Sequence, residues 1–513
     1  MEITLTREKL NYAERIQNET RRAEENTEMI VPDALPDILR IVGTDAEVTV
    51  RSKDLSNGRA TVSGNAAVTV VYAPDGETGL RRVNLDLPFS VVTEHPDINQ
   101  NSRLTARVSL DSVDANAVNP RKIAANAAVR AELAVYNNAE VEIPTGIVPN
   151  ADADIELLTD NSELSLATDV REKTFTVTDE YQIPAANPPI GELLRSNIAI
   201  TADDTKVVGT KLIFKGTAHV NLLYSGAGDG EIASNAFETE FSQILELENA
   251  NADSEFELIP LLTGALVTPD NTNGADGRRV AAEFHIAAQA VARSKTKFSF
   301  IGDAYGSRHA LETENSQLSF ENNLGTRSAN TILRGTLDAP DLARIISVSA
   351  RPGAVEHKTD NNALSLKCPV RVDALYVASD GTVRPASGDF TLDASIPEAN
   401  ANSGYSVRAE TSRDVYGVAA DGGIELRIPV DIRAEETRRG SYSPISAITL
   451  DADAPLNLSN LPSLVISRTN ANASLWDLAK RHHSTRELIL QANGLDDEDA
   501  AKGAESLIIP KKR

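Results

Sequence analysis

Three tyrosines recur at a fixed spacing of 152 residues, at Tyr72, Tyr224 and Tyr376. Each ends an alternating apolar run: Val68-Thr69-Val70-Val71-Tyr72, Val220-Asn221-Leu222-Leu223-Tyr224 and Val372-Asp373-Ala374-Leu375-Tyr376. Each is followed by an Asp-Gly pair, at Asp75-Gly76, Asp229-Gly230 and Asp380-Gly381. Asp and Gly tolerate the positive φ of a tight turn, so a run, Asp-Gly and a second run predict a β-hairpin. Prolines keep the same spacing at Pro36, Pro188 and Pro340, and Val31-Pro32 matches Ile183-Pro184 one step earlier. So many coincidences at one offset imply three copies of one unit, each about 100 residues of core plus an arm. A chain built this way must fold as linked, similar modules.

Within a copy the pattern is strand-like. Arg59 to Val68, Ser102 to Leu110 and Ala127 to Val135 alternate at period two between short Gly, Asn and Pro turns. That is the pattern of half-buried antiparallel strands. Aromatics are only 4% of the chain while Ala and Val are plentiful, which suggests thin modular cores. The Pro36-Asp37-Ile38-Leu39 segment is compatible with a helical turn opened by Pro. In residues 1–30, Leu10, Ala13, Ile16 and Gln17 trace a weak helical stripe through charged sequence, predicting a solvated helix or a frayed arm.

Charge excludes some partners. The chain carries 75 acidic and 50 basic side chains, a formal net charge of −25. Nucleic acid and anionic lipid reward clustered Lys and Arg, so neither is expected. The one cysteine, Cys368, permits no internal disulfide and points to a reducing compartment. No apolar run approaches the ~20 residues of a membrane span, and Met1-Glu2-Ile3-Thr4 opens no signal peptide. A soluble intracellular protein is expected.

The catalytic candidates are weak. Cys368 replaces a repeat glycine in an apolar strand and has no base nearby in sequence. His482-His483 lacks further ligands at metal spacing. Gly226-Ala227-Gly228-Asp229-Gly230 leads into a strand, not a helix, so it is a hairpin tip and not a phosphate loop. Abundant carboxylates, including Asp152, Asp154 and Asp496 to Asp499, single out no pair. No enzyme, cofactor or metal is expected.

From residue 463 the pattern changes. Leu464-Val465-Ile466 predicts a short strand. Ser474 is a fitting N-cap for a helix beginning at Leu475. Ser484 with Glu487 forms a capping box for a second helix, and Gly494 stops it. Leu507-Ile508-Ile509-Pro510 closes the module as a strand. The order is β-α-α-β. The segment resembles a LysM module through Leu475-Trp476-Asp477-Leu478-Ala479, Leu488, Leu490, Asn493-Gly494-Leu495, Gly503 and Leu507 to Pro510. Such modules commonly bind N-acetylglucosamine glycans, including peptidoglycan. Here Asn472-Ala473-Ser474-Leu475 stands where Gly-Asp-Thr-Leu is usual, and Lys502-Gly503 stands for Pro-Gly. These departures alter the groove edge and favour a protein ligand. The implied contact residues are Asn472, Ala473, Ser474, Leu475, Asn493, Gly494 and Gly503. Trp476 is expected in the core, or at a partner.

The repeats carry a second resemblance. Met29-Ile30-Val31-Pro32-Asp33-Ala34-Leu35-Pro36-Asp37-Ile38 is similar to the opening signature of SPOCS domains. Copies two and three diverge, with Pro189 for Asp37 and Cys368 for Gly64. SPOCS repeats before a C-terminal LysM module resemble the SipL-type spore morphogenetic proteins. That resemblance implies a non-enzymatic scaffold in the mother-cell cytosol, at the forespore surface or spore coat. It implies binding to a coat-basement ATPase of the stage IV sporulation protein A type, with peptidoglycan binding as the alternative. The expected fold is mainly β: three tandem antiparallel SPOCS-like domains and a small βααβ LysM domain. The divisions are an N-terminal arm (1–30), repeats at 31–155, 156–307 and 308–450, a linker (451–462) and the LysM module (463–513).

Overall fold

The computed structural model describes the chain except residues 149–153, 229, 252, 271–275, 361, 412–414, 421, 457–461, 469–473, 498–499, 502–504 and 512–513. Antiparallel strand dominates. A first set holds β1 (Leu5–Ile30), β2 (Ile38–Ser56), β3 (Arg59–Pro74), β4 (Arg81–Glu94), β5 (Arg103–Asn119) and β6 (Lys122–Ile147). A second holds β7 (Ile155–Gln182), β8 (Ile190–Val208), β9 (Lys211–Gly226), β10 (Ile232–Glu246), β11 (Glu255–Pro269) and β12 (Arg279–Gly306). After β13 (His309–Asn315), a third holds β14 (Leu318–Asp338), β15 (Leu342–Pro352), β16 (Glu356–Asp360), β17 (Ala363–Ala378), β18 (Val383–Pro397), β19 (Gly404–Thr411), β20 (Tyr416–Ala420) and β21 (Gly423–Tyr442). The chain ends with β22 (Ile445–Pro455), β23 (Leu464–Arg468), α1 (Leu475–Arg481), α2 (Arg486–Asn493) and β24 (Ser506–Pro510).

Strand order repeats from set to set. One sheet reads β1-β6-β5, then β7-β12-β11, then β14-β21-β19; the other reads β2-β3-β4, β8-β9-β10 and β15-β17, with β18 on the far side of β17. In each set the two sheets pack face to face. In the first, Val83, Leu85, Leu87, Phe89 and Val91 alternate inward from β4 and meet Val129 and Leu133 of β6. The inner face of β6 also carries Ala125, Ala127 and Ala131, which keeps the layers close.

Residues 1–30 are neither a helix nor a frayed arm. Leu5 to Ile30 form one 26-residue strand, paired along β6 from Ile147 to Lys122. From Arg22 to Ile30 exposed and half-buried residues alternate, but the half-buried positions include Glu25 and Thr27, so the period-two signal is masked by polar residues. The Pro36 segment is likewise no helical turn: Leu35 N–H closes on the Pro32 carbonyl at 2.9 Å, and strand begins at Ile38. The expected linker at 451–462 is partly strand, because β22 pairs with β13 as far as Pro455.

The sets close on one another around a shared axis. Strands β2, β8 and β15 each bulge at one equivalent place, between Ile41 and Gly43, Leu193 and Arg195, and Ile345 and Ser347. A bulge re-aims the extra residue. Here the extra residues, Val42, Leu194 and Ile346, gather with Val71, Leu223 and Leu375 in one apolar plug. A second shared bulge falls at Ile16, Thr168 and Leu324, where the long ribbons β1–β6, β7–β12 and β14–β21 leave their sandwiches. Beyond it the ribbons share a stem core. Leu10 and Ile143, Leu164, Leu166, Phe298 and Phe300, and Phe320 form one cluster from all three. Tyr442 stacks edge-on against Phe298 at 5.3 Å, and Tyr12 against Phe320 at 5.5 Å.

Candidate functional site

The two signals spaced by 152 residues are the two ends of one hydrogen bond. The hydroxyls of Tyr72, Tyr224 and Tyr376 donate to the carbonyls of Pro36, Pro188 and Pro340 at 3.0, 3.1 and 3.3 Å. All three rings are buried. The signature turn of the first set is further held by Arg121. Its guanidinium donates to the Val31 and Leu35 carbonyls at 2.8 Å each, and to Asp33 and Asp37 at 3.1 Å each. This explains the two aspartates of Val-Pro-Asp-x-x-Pro-Asp. Arg278 does the same work in the second set, reaching the Pro184 and Asn187 carbonyls at 2.8 and 2.9 Å. In the third set Asp341 instead takes a positive φ of 60°.

Just below the apolar plug a polar clasp joins all three sets. Asp45 is 6% exposed. It accepts from Asn197 Nδ2 at 2.8 Å and Arg351 Nη1 at 2.9 Å, and pairs with Arg195 at 3.5 Å. Asp45 and Asn197 are themselves 152 residues apart. Burial, reinforced by the Asp45 carboxylate, pushes the neighbouring Glu47 carboxyl up to about 7. Arg40 donates to the Val383 carbonyl at 2.6 Å, and Arg344 donates to the Ile232 carbonyl at 3.1 Å. The floor of the space below includes Arg107 and Arg408, which belong to a second ion network. Arg293 reaches Glu435 at 2.7 Å and Glu257 at 3.0 Å, and Arg107 and Arg408 approach the same Glu257 at 3.7 and 3.4 Å. Burial opposes ionisation of Glu257, yet Arg293, Arg408 and Arg107 hold it below the usual carboxylate range. Between clasp and floor lies a cavity of about 1500 Å³, walled by all three sets.

The tail has the β-α-α-β order, with β23 paired to β24. Ser474 caps α1, its hydroxyl accepting from Asp477 N–H at 3.0 Å. The second helix is capped by Thr485 and not by Ser484. Thr485 Oγ1 accepts from Leu488 N–H at 3.2 Å, while the buried Ser484 hydroxyl turns to the Pro510 carbonyl and ties the helix to β24. Gly494 ends α2 in the left-handed region, at φ 63°. Of the remaining expected contact residues, Leu475 is buried in the tail core. Asn493 brackets β24, with its amide donating to the Ile508 carbonyl at 2.7 Å and its oxygen accepting from Ile508 N–H at 2.8 Å. Thus Ser474 and Leu475 sit at the start of α1, and Asn493 and Gly494 at the end of α2. Asn472, Ala473 and Gly503 lie outside the described residues.

The tail is also seated on the second set. Trp476 Nε1 donates to Asp303 at 2.8 Å, and its ring meets Tyr305 edge-on at 4.8 Å. Lys480 reaches both Asp303 oxygens at 2.7 and 2.6 Å. Burial works against the Asp303 charge, but Lys480 and Trp476 keep its carboxyl below the usual range. The Tyr305 hydroxyl donates to the buried Ser484 carbonyl at 2.8 Å. Trp476 therefore belongs to the tail core and to the seam with β12 at once. Arg121, Arg278, Asp45, Asp303 and Tyr305 are not legible as site residues in the sequence, although the spacing of Asp45 and Asn197 was there to be found.

Cys368 is buried, and burial pushes its thiol up. Among the described residues no group of three or more His, Cys, Asp or Glu could hold a metal ion, and no helix is long and apolar enough to cross a membrane.

These features define a mainly antiparallel β protein built on a repeated two-sheet unit with a tyrosine-latched proline turn. Two segments, residues 37–118 and 189–262, match the family described as SipL, SPOCS domain. Over these segments the chain is similar to SPOCS domains of the SipL type, a likeness that points to a sporulation-related protein. The matched segments run from the signature turn through β5 and from β8 into β11. No curated protein and no solved structure matches the chain.

Proposed function

We propose that the chain is a non-enzymatic scaffold of spore-envelope assembly, made of three SPOCS domains and a LysM-like tail. It acts in the mother-cell cytosol at the forespore surface and binds a coat-basement ATPase of the stage IV sporulation protein A type. The observation that carries this reading is the SPOCS match on two of the three strand sets. The recurrence of strand order and of the tyrosine latch in the third set supports counting it as a further, diverged domain. The β-α-α-β order and its caps support the LysM reading of the tail. Its candidate partner contacts are Asn472, Ala473, Ser474, Leu475, Asn493, Gly494 and Gly503. Several weak contacts on one body add into avidity. The test is a pull-down from sporulating cells with and without residues 460–513. Loss of the ATPase on removing the tail supports the reading, and unchanged recovery removes the docking role. Retention of the tail on purified peptidoglycan would favour the glycan alternative.

A further inference from the structure

We propose that the corner around the β5–β6 hairpin of the first set docks a partner-protein segment that carries aliphatic side chains beside lysines or arginines. The inference supposes a protein partner, and so rests on the scaffold reading above. Three large aliphatic residues are exposed there: Ile30 at 70%, Leu39 at 63% and Val118 at 54%. Ile30 lies opposite Lys122 at the start of β6. Val118 is the bulged residue on the other side of that strand, between Ala117 and Asn119. Leu39 follows Ile38, whose N–H donates to the Pro120 carbonyl of the hairpin at 2.8 Å. Single exposed aliphatics are ordinary, whereas a group around one hairpin marks an interaction surface.

The other sets supply an internal comparison. The position equivalent to Ile30 is Gln182 opposite Arg279, and Asp338 opposite Gly423. The bulge equivalent to Leu39 is Gly191 in β8 and Ala343 in β15. The same sandwich is therefore built twice without large aliphatics at these two positions, and packing does not require them. Charge selects the partner. Asp33, Asp37, Asp75 and Glu28 surround the corner against Arg40, Arg121 and Lys122, all three engaged: Arg121 by Asp33 and Asp37, Lys122 by Glu28, and Arg40 by the Val383 carbonyl. Asp75 joins the group through its N–H, which donates to the Asp37 carbonyl at 2.8 Å. The surplus is acidic, so the complementary segment is basic.

The test uses three labelled peptides of roughly ten residues, alternating Ile-Lys, Ser-Lys or Ile-Glu, with fluorescence anisotropy on the full chain at physiological salt. The comparison protein carries Ile30→Gln and Leu39→Gly, the residues the second set already tolerates. The Ile-Lys peptide should bind best and lose about tenfold in affinity in the double variant. Equal binding of Ser-Lys and Ile-Lys, no binding of Ile-Lys, or no loss in the variant would each overturn the proposal. The tail pull-down reads another surface, so failure here leaves the scaffold reading standing.

Discussion

Gly64 and Phe89 face one another across β3 and β4, as do Gly216 and Phe241 in the second set. A Cβ on Gly64 would lie 2.2 Å from the Thr49 carbonyl oxygen and 2.5 Å from Phe89 Cζ; on Gly216 the distances are 2.3 Å from the Thr201 carbonyl oxygen and 2.5 Å from Phe241 Cζ. In the third set the facing pair is Cys368 and Leu392, both buried. The larger residue on one strand is matched by a smaller one on the other. The backbone has also given way, since the strand ladder breaks at Gly353 to Val355, between β15 and β16, with the Gly353 N–H donating to the Pro369 carbonyl at 2.7 Å, where β2 skips only Arg51. Gly64→Cys therefore meets two obstacles, one a side chain and one a backbone oxygen. Overpacking of this kind destabilises by about 1–3 kcal/mol. Phe89→Leu alone costs on the order of 1 kcal/mol through lost packing. The double variant relieves the ring clash and leaves the Thr49 contact, so a favourable coupling of roughly 1–2 kcal/mol is expected. Hydrogen exchange of the full chain, followed on peptides covering residues 59–94, reads this as opening rates that change about tenfold per 1.4 kcal/mol. Additivity of the two single effects would refute the idea that the third set is a compensated version of the first.

Three further outcomes follow from the geometry. Tyr72→Phe leaves the Pro36 carbonyl without its donor and should cost about 1–2 kcal/mol, read as faster exchange in the signature turn and β2. Glu47 has a folded-state pKa raised from 4.5 to about 7, so its neutral form is favoured in the fold and stability falls as pH rises between those values. The loss is at most about 3 kcal/mol, and urea melts at pH 5 and pH 8 should show Glu47→Gln flattening that slope. Asp303→Ala removes the carboxylate shared by Trp476 and Lys480, and should raise protease cleavage ahead of the tail by about tenfold while the stem stays resistant.

The sequence made the repeat legible because its markers are local: a tyrosine, a proline and an Asp-Gly turn each leave a mark at one position. The structure adds that Tyr72 and Pro36 are partners. The caps Ser474 and Gly494 were readable for the same reason, while Ser484 and Thr485, both able to cap, were separated only by the pull of the Pro510 carbonyl. β1 was unreadable because its partners on β6 lie 92 to 142 residues away and its half-buried positions accept Glu and Thr. The clasp at Asp45 was hidden more deeply. Its partners Asn197 and Arg351 come from other sets, and no local pattern distinguishes that aspartate from the 75 acidic residues of the chain.

Closure about an axis also limits how such a chain can vary. In an open stack of repeats each unit touches only its neighbours, so units can be added or lost at the ends. Here Val42, Leu194 and Ile346 meet at one point, and each set touches both of the others. Like stones around a keystone, the sets are fixed in number: a fourth would have no place at the plug, and loss of one would leave two apolar faces bare. Divergence inside a set must then be compensated in place, as at Cys368 and Leu392, while outer corners such as Ile30 and Leu39 are freer to change.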